Sequence, residues 1–265
     1  MAVIDFDKLR ADKVLTVLLA PTGAATGVQN VGEPTEAEVT VGGATAFVNA
    51  SRSISWQDWD FGIQESERLN DPSLADDSTY EDFGQMNYGG SMSFYYPKDY
   101  DDDSNNHSLV YDLTDTPWTK IDVLVRLDGD VKNDTAVVNG DFVHVLRTMT
   151  DGEANSLQGA DALRRTVSFL QQGDVAVYTI VGDHAITAIE PATAPWLAGK
   201  KARLRASVQD RDYTNALEFS TSDASVVQVY PGGFYEVTGT AADTATITIT
   251  DPHTGDTQTV AVTVS

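Results

Sequence analysis

The chain has 265 residues and no cysteine, and its 40 acidic and 17 basic side chains give a formal net charge of -23. Its length predicts two domains, and the 41% of hydrophobic residues is typical of globular folds, which argues against a disordered or fibrous chain. The absence of cysteine excludes disulfide frameworks, cysteine nucleophiles and thiolate metal sites, and the negative charge argues against DNA capture by a basic patch.

The N-terminal region predicts neither a membrane span nor an export signal of the usual kind. Residues 14–20 form the longest apolar run there, and seven residues are far too few to cross a bilayer. The preceding residues mix acidic with basic side chains and lack the net positive charge that opens a signal peptide.

The first 188 residues are predicted to be mainly β. The predicted strands cover residues 14–19, 38–41, 92–96, 121–126, 136–138, 142–147, 166–170 and 175–181. Asn139-Gly140 lies between two apolar stretches and predicts a hairpin, because both central residues of a type I′ turn need positive φ. Gln172-Gly173-Asp174 predicts a second hairpin. One helix is predicted over residues 104–116, with Ser104 or Asn105 as its N-cap and Pro117 after its end.

Residues 51–84 form a long irregular segment that combines Trp56, Trp59, Phe61 and Phe83 with many acidic residues. Long loops without regular structure are uncommon in compact domains and usually have a function. Because aromatic rings in an acidic loop are poorly buried on a monomer, we expect this segment to contact a partner. Packing against its own domain is the alternative.

The search for catalytic or metal-binding motifs returns no convincing match, so no cofactor and no catalytic residue is predicted. Residues 99–107 resemble a calcium loop, but Ser104 and Val110 stand where an EF-hand needs glycine and a bidentate acid. A solvated acidic turn before a helix N-terminus explains this segment better, and a weak cation site is the alternative. The four histidines have no zinc-site spacing.

A domain boundary is predicted near residues 189–196, where Pro191 and Pro195 separate two strand-rich regions. Residues 1–188 carry 31 acidic and 12 basic side chains, net -19, whereas residues 189–265 carry 9 and 5, net -4. Alternating apolar residues predict short strands in the second region, and a hairpin turning at residues 231–233. The predicted domains are therefore 1–188 and 189–265, the second a small β-sandwich.

The second region resembles the bacterial Ig-like domains that occur in surface adhesins and phage virion proteins. The resemblance lies in LAGKKARLRASV, STSDASVVQV, TATITIT and TQTVAVTV, and covers residues 195–265.

The first region resembles the major tail protein, or tail tube protein, of phages with long non-contractile tails. The features that carry this resemblance are SISWQDWDFGIQESERLNDPS, GGSMSFYY, VYDLTDTPWTKIDVLVRLDG and RRTVSFLQQGDVAVYTIV, and together they span most of residues 1–185. It implies a β-sandwich or barrel with a flanking helix, and hexameric rings that stack head to tail into a tube. The Ig-like domain would then decorate the outside.

The resemblance also implies a virion location, synthesis in the host cytoplasm and a set of partners. The partners are other copies of the chain, the tape measure protein, the tail terminator and distal tail proteins, double-stranded DNA that passes without specific binding, and host surface glycans at the Ig-like domain. No membrane insertion and no enzymatic activity are expected. For the contacts between subunits, the candidate residues are Trp56, Trp59, Phe61, Asn70, Asp71 and Pro72.

Three other functions are compatible with parts of this pattern. A bacterial surface or adhesion protein is the main alternative, because Ig-like domains serve there too. A glycan-cleaving enzyme with an accessory domain lacks a convincing pair of catalytic acids. A tube-forming secretion protein would share the fold, but the Ig-like region favours the virion.

Overall fold

A computed structural model describes residues 15–23, 25–42, 47–55, 59–64, 68–69, 82–83, 87–102, 104–126, 136–151, 163–191, 196–209 and 211–265. The prediction of a mainly β chain is confirmed. The chain divides into two compact units. The first unit comprises Met1–Val31, Ala37–Val137 and Val143–Val177, and the second comprises Gly32–Glu36, Val138–Phe142 and Tyr178–Ser265.

The first unit is built around a seven-stranded antiparallel sheet with the strand order β2-β1-β7-β8-β9-β6-β3. The strands up to the start of the second unit are β1 (Thr16–Pro21), β2 (Val48–Asn49), β3 (Asp60–Ile63), β4 (Arg68–Leu69), β5 (Asp82–Phe83), β6 (Tyr88–Tyr95), β7 (Lys120–Arg126), β8 (Phe142–Thr150) and β9 (Arg164–Ile180). Within the described residues, two α-helices accompany them, α1 (Glu36–Val39) and α2 (Asn106–Asp115).

One face of this sheet carries the apolar core of the first unit. Alternate residues of the strands point to this face, as the period of two requires. The core residues are Val17, Leu19, Ala50, Phe61, Met92, Phe94, Val110, Ile121, Val123, Val125, Leu146, Val167 and Phe169. The predicted helix is confirmed as α2, and the side chain of Asn105 caps it by accepting a hydrogen bond from the backbone N–H of His107 at 2.9 Å.

Two predicted strands are wrong. Residues 36–39 form helix α1 instead of a strand at 38–41, because glutamate and alanine favour helix and only Val39 is buried. Residues 136–138 form no strand, because side chains satisfy their backbone groups. The carbonyl oxygen of Ala136 accepts from Arg126 Nη1 at 2.9 Å, and the N–H of Val138 donates to Asp141 Oδ2 at 3.0 Å.

Both predicted hairpins of the first region are also wrong. Strand β9 runs without interruption through Gly173, which does not adopt the positive φ that a tight turn requires. A Cβ atom built on Gly173 would lie 3.5 Å from the Cβ of Arg147. At Asn139-Gly140 the chain does turn, with Gly140 at φ 89, but no strand precedes the turn. The N–H of Gly140 donates instead to the carbonyl oxygen of Val181 at 2.9 Å.

The second unit consists of small sheets around its own core. Its strands are β10 (Ile186–Glu190), β11 (Lys201–Arg203), β12 (Arg205–Val208), β13 (Arg211–Asp212), β14 (Glu218–Thr221), β15 (Val227–Val229), β16 (Phe234–Val237), β17 (Thr244–Thr250) and β18 (Thr257–Thr263). They form three-stranded antiparallel sheets in the orders β10-β12-β13, β11-β16-β15 and β14-β17-β18. Trp196, Tyr213 and Tyr235 are the aromatic residues of the core.

The hairpin predicted in this region is confirmed as β15 and β16. A short 3₁₀ turn at Pro231–Gly233 joins them, and Gly232 and Gly233 adopt positive φ of 73 and 79. The domain boundary at 189–196 remains a prediction. The second unit begins earlier, at Tyr178, and contains two short segments from the first region of the sequence.

Candidate assembly surface

Strand β3 lies at one edge of the seven-stranded sheet, directly after Trp59. It pairs with β6 from Asp60 opposite Ser91 to Ile63 opposite Tyr88. Among the residues that the structure describes, no strand pairs with its other side. An edge strand offers N–H and C=O groups that can pair with another chain, so this edge is a candidate for contact between subunits.

Two glycines of β6 make room for the strands on either side of it, β3 and β9. A Cβ atom on Gly90 would lie 1.8 Å from the carbonyl oxygen of Asp60 in β3, and one on Gly89 would lie 2.3 Å from that of Phe169 in β9. Both glycines also adopt positive φ, 140 and 109 for Gly89 and Gly90, which other residues rarely do. The Gly-Gly pair in GGSMSFYY therefore allows β3 and β9 to approach β6 closely.

Two of the predicted interface residues lie at this edge. Phe61 is only 8% exposed and packs edge to face on Phe169, with ring centroids 5.6 Å apart. Trp59 is half-buried and its ring lies 5.9 Å from that of Phe61. Their role between subunits remains a prediction, and Phe61 is in addition a core residue of its own unit. The other candidates, Trp56 and the turn of residues 70–72, lie outside the described residues.

The sheet face opposite the core is rich in hydroxyl groups along β6 and β9. Ser91 stands opposite Ser168, and Ser93 opposite Thr166, with the Ser93 and Thr166 hydroxyls 2.7 Å apart. We call these four residues the hydroxyl face. Arg164 at its end donates from Nη1 to the Ser55 hydroxyl at 2.9 Å, so this cation has a partner within its own unit.

Farther along the sheet, the same side is covered by the segment that follows β1, and a buried carboxylate fixes this segment. Asp122 accepts a hydrogen bond from the Thr22 hydroxyl at 2.6 Å and one from the backbone N–H of Val28 at 2.9 Å. Arg147 Nε lies 3.7 Å from Asp122. Burial raises the pKa of Asp122, and this effect outweighs the two hydrogen bonds and the charge of Arg147.

The acidic turn at residues 99–107 is held by its own hydrogen bonds. The carboxylate of Asp99 accepts from the backbone N–H of Asp101 at 3.1 Å, and that of Asp102 accepts from the N–H of Ser104 at 3.0 Å. Within the described ranges, no group of three or more Asp, Glu or His residues is arranged to hold a metal ion. His144 lies in β8, and burial lowers its pKa.

The second unit carries an outward surface of aromatic and basic side chains on the sheet of β11, β16 and β15. The guanidinium of Arg203 lies 5.2 Å from the ring centre of Phe234, which stands opposite it in β16. Phe234 is 53% exposed and Tyr230 45%. Arg203 Nε donates to the carbonyl oxygen of Gly232 at 2.7 Å, which fixes the arginine beside the ring.

Trp118 is an exposed residue that the sequence reasoning missed. It lies in the turn between α2 and β7 with φ 63, and it is 74% exposed, whereas Trp196 is buried and Trp59 half-buried. One signal in the sequence bears on it. Pro117 disfavours helical backbone at Thr116, so the helix ends before it and Trp118 lies in the connection to β7.

Comparison with known proteins adds a family match. A family model described as "Phage tail tube protein" matches residues 3–184, and residues 185–265 lie outside the match. No curated protein matches the chain. In the part of the chain that is described, no helix is long and apolar enough to cross a membrane.

Proposed function

The chain belongs to the phage tail tube protein family and is a structural component of the virion tail, and from this premise we propose that its copies polymerise as stacked hexameric rings. The rings form the tail tube that delivers the genome, and the chain has no catalytic role. The family match over residues 3–184 carries the proposal.

The edge of the large sheet supports contact between copies around the ring. Strand β3 presents a backbone edge, and Gly90 of β6 allows its close approach. A contact between two different surfaces of the same chain can be repeated from copy to copy. The copies close into a ring when the rotation from one copy to the next divides a full turn, and otherwise they form an open filament. Trp59 and Phe61, together with Trp56 and residues 70–72, are proposed at this contact.

The inner wall of the tube is proposed to carry the hydroxyl face. Ser91, Thr166 and Ser168 are partly exposed, small and uncharged, so they offer no cation to the phosphates of passing DNA. Ser93 is buried and contacts the Thr166 hydroxyl from within the chain. The net charge of -23 adds repulsion between chain and DNA wherever salt does not screen it. Both properties favour passage of the genome without adhesion.

Residues 189–265 are proposed to form an Ig-like domain on the outside of the tube. The regular strand pattern of this region and the separate apolar core of the second unit support this assignment. A partner for it is host surface glycan, because exposed aromatic rings beside fixed polar groups suit the apolar faces and hydroxyls of sugars. Phe234, Tyr230 and Arg203 are the proposed contact residues. Phe234→Ala is expected to abolish any glycan binding of the intact chain.

The other partners follow from the tube itself. We place the tape measure protein inside it during assembly, and the tail terminator and distal tail proteins at its two ends.

Negative-stain electron microscopy over a concentration series tests the proposal. Hollow tubes or six-fold rings with outward knobs are the expected result. Dispersed monomers at every concentration would contradict the proposal that the chain alone forms rings.

A further inference from the structure

Trp118 combines two features that are uncommon for a tryptophan. Its indole is 74% exposed, and its φ of 63 lies in the left-handed region. That region is uncommon for residues other than glycine and is a genuine outlier for bulky ones. Glycine would make the same turn without strain. Strained residues persist where the surrounding structure holds them, and they cluster at functional sites.

The turn that carries Trp118 is fixed to the end of β8 by hydrogen bonds to one buried residue, Thr150. The N–H of Trp118 donates to the carbonyl oxygen of Thr150 at 2.7 Å, and the N–H of Thr150 donates to that of Thr119 at 2.9 Å. The Thr150 hydroxyl accepts from the N–H of Thr119 at 3.0 Å and donates to the carbonyl oxygen of Thr116 at 3.0 Å. The backbone of this turn is therefore held in one conformation.

The helix before the turn is anchored as well. Buried Arg165, at the start of β9, donates from Nη2 to the carbonyl oxygen of Tyr111 at 3.0 Å and to the Thr114 hydroxyl. Its guanidinium also lies 4.2 Å from the ring centre of Tyr111. Leu163, two residues before Arg165 in the sequence, is 59% exposed. Leu163 is thus an exposed apolar residue next to β9, the strand whose Arg165 holds α2.

We infer that Trp118 is an anchor residue that inserts into a second copy of this chain in the tube. The inference rests on the proposed assembly. A rigid aromatic side chain loses little conformational entropy on binding, and tryptophan is enriched among the residues that dominate interface energies. A subunit of a tube contacts other copies of the same chain on several sides. A second copy is therefore the partner that we assign to the exposed indole of Trp118, which the turn holds in a fixed position.

The test compares assembly of the wild-type chain with that of Trp118→Ala and Trp118→Gly. Both variants lack the ring, and Trp118→Gly also relieves the positive φ. We expect the Trp118→Gly monomer to melt at a temperature no lower than that of the wild type, whereas its critical concentration for tube formation rises at least about thirtyfold, the factor typical of a central anchor. A residue that served only the fold of the monomer would not separate these two measurements.

Leu197→Ala is the matched control, because Leu197 is 50% exposed, lies in the second unit and has no positive φ. It is expected to assemble like the wild type. A second measurement uses the absence of cysteine in the chain. A thiol introduced by Lys120→Cys, two residues from Trp118, is expected to react with maleimide in the monomer and to be protected in the tube.

The outcomes separate the inference from the proposed function. The role of Trp118 alone would be overturned if the wild type formed tubes and the Trp118 variants assembled equally well. It would also be overturned if the Lys120→Cys thiol reacted equally in monomer and tube. A wild-type chain that formed no tubes would overturn both.

Discussion

His184 Nδ1 lies 2.9 Å from Asp251 Oδ2, and both side chains are buried in the second unit. His184 Nε2 lies 2.8 Å from the carbonyl oxygen of Ile180, so both ring nitrogens have partners. Burial lowers the pKa of His184, but the hydrogen bond and the charge of Asp251 outweigh it, so the pKa is raised above its ordinary value of 6.5. The same pair lowers the pKa of Asp251 despite the opposing effect of burial.

The first prediction concerns the pH dependence of the free energy of unfolding of the second unit. A raised histidine pKa stabilises the folded state below about pH 6.5, and this contribution is lost as pH rises through the folded pKa. The lowered pKa of Asp251 stabilises it above about pH 4, with loss as pH falls through that pKa. We therefore expect maximal stability between these limits in urea unfolding. Two further charges act on this pair: Glu33 raises the pKa of His184, and His253 lowers that of Asp251.

The control for this prediction is His184→Gln. It removes the titrating imidazole, so the decline in stability above pH 6.5 should flatten, while the loss of one partner of a buried pair is expected to destabilise the unit by about 3–5 kcal/mol. An unchanged decline in the variant would assign the pH dependence to other groups.

The second prediction concerns fragments of the chain. A fragment of residues 189–265 contains Asp251 without His184, so its folded form would bury a carboxylate that keeps the hydrogen bond from the N–H of His253 but has lost its ion-pair partner. We expect this fragment to unfold at a lower urea concentration than one of residues 178–265, which keeps the pair, the core residues Ile180 and Ile186 and the whole of β10. His184→Gln within the longer fragment measures the share of the pair alone. Equal midpoints of the two fragments would show that residues 178–188 contribute nothing to stability and that the predicted boundary at 189 is also a boundary of stability.

The third prediction is that Gly90→Ala releases the edge strand β3. The new Cβ would clash with the carbonyl oxygen of Asp60, so we expect a loss of at least about 2 kcal/mol and fast amide exchange of β3. Gly62→Ala is the control, since Gly62 also has positive φ, but nothing lies within 4 Å of its Cβ position. It should lose only about 1 kcal/mol. Equal effects of the two would mean that backbone strain decides, and not the contact with β3.

The fourth prediction concerns Trp59. Trp59→Ala removes a half-buried ring at the sheet edge, and we expect the monomer to remain folded with a loss of about 1 kcal/mol while tube formation is impaired. Circular dichroism measures the first effect and pelleting of tubes the second. Tube formation at the wild-type concentration would remove Trp59 from the interface.

The fifth prediction places the hydroxyl face inside the tube. Because the chain has no cysteine, Ser168→Cys and Thr263→Cys each introduce a single thiol. A maleimide attached to a large polymer should label both monomers, but in tubes only Thr263→Cys, which lies on β18 of the proposed outer domain. Labelling of Ser168→Cys in intact tubes would place the hydroxyl face on the outside.

Local patterns in the sequence predict the parts of the fold that depend on local physics. The alternation of apolar residues locates β7. Asn105 as N-cap and Pro117 after the last turn locate α2. The continuity of β9 depends on the backbone angle of Gly173, which the sequence does not specify. His184 and Asp251 are 67 residues apart, and Trp118 is distinguished by a backbone angle. The pair has no local signal, and Pro117 indicates where α2 ends but neither the backbone angle nor the exposure of Trp118.

Cryo-electron microscopy of tubes assembled from the purified chain is the most direct test of the proposed assembly. The expected reconstruction has six copies in each ring, β3 paired with a neighbouring copy and the hydroxyl face towards the lumen. A different number of copies, or a tube in which β3 of every copy faces solvent, would contradict it.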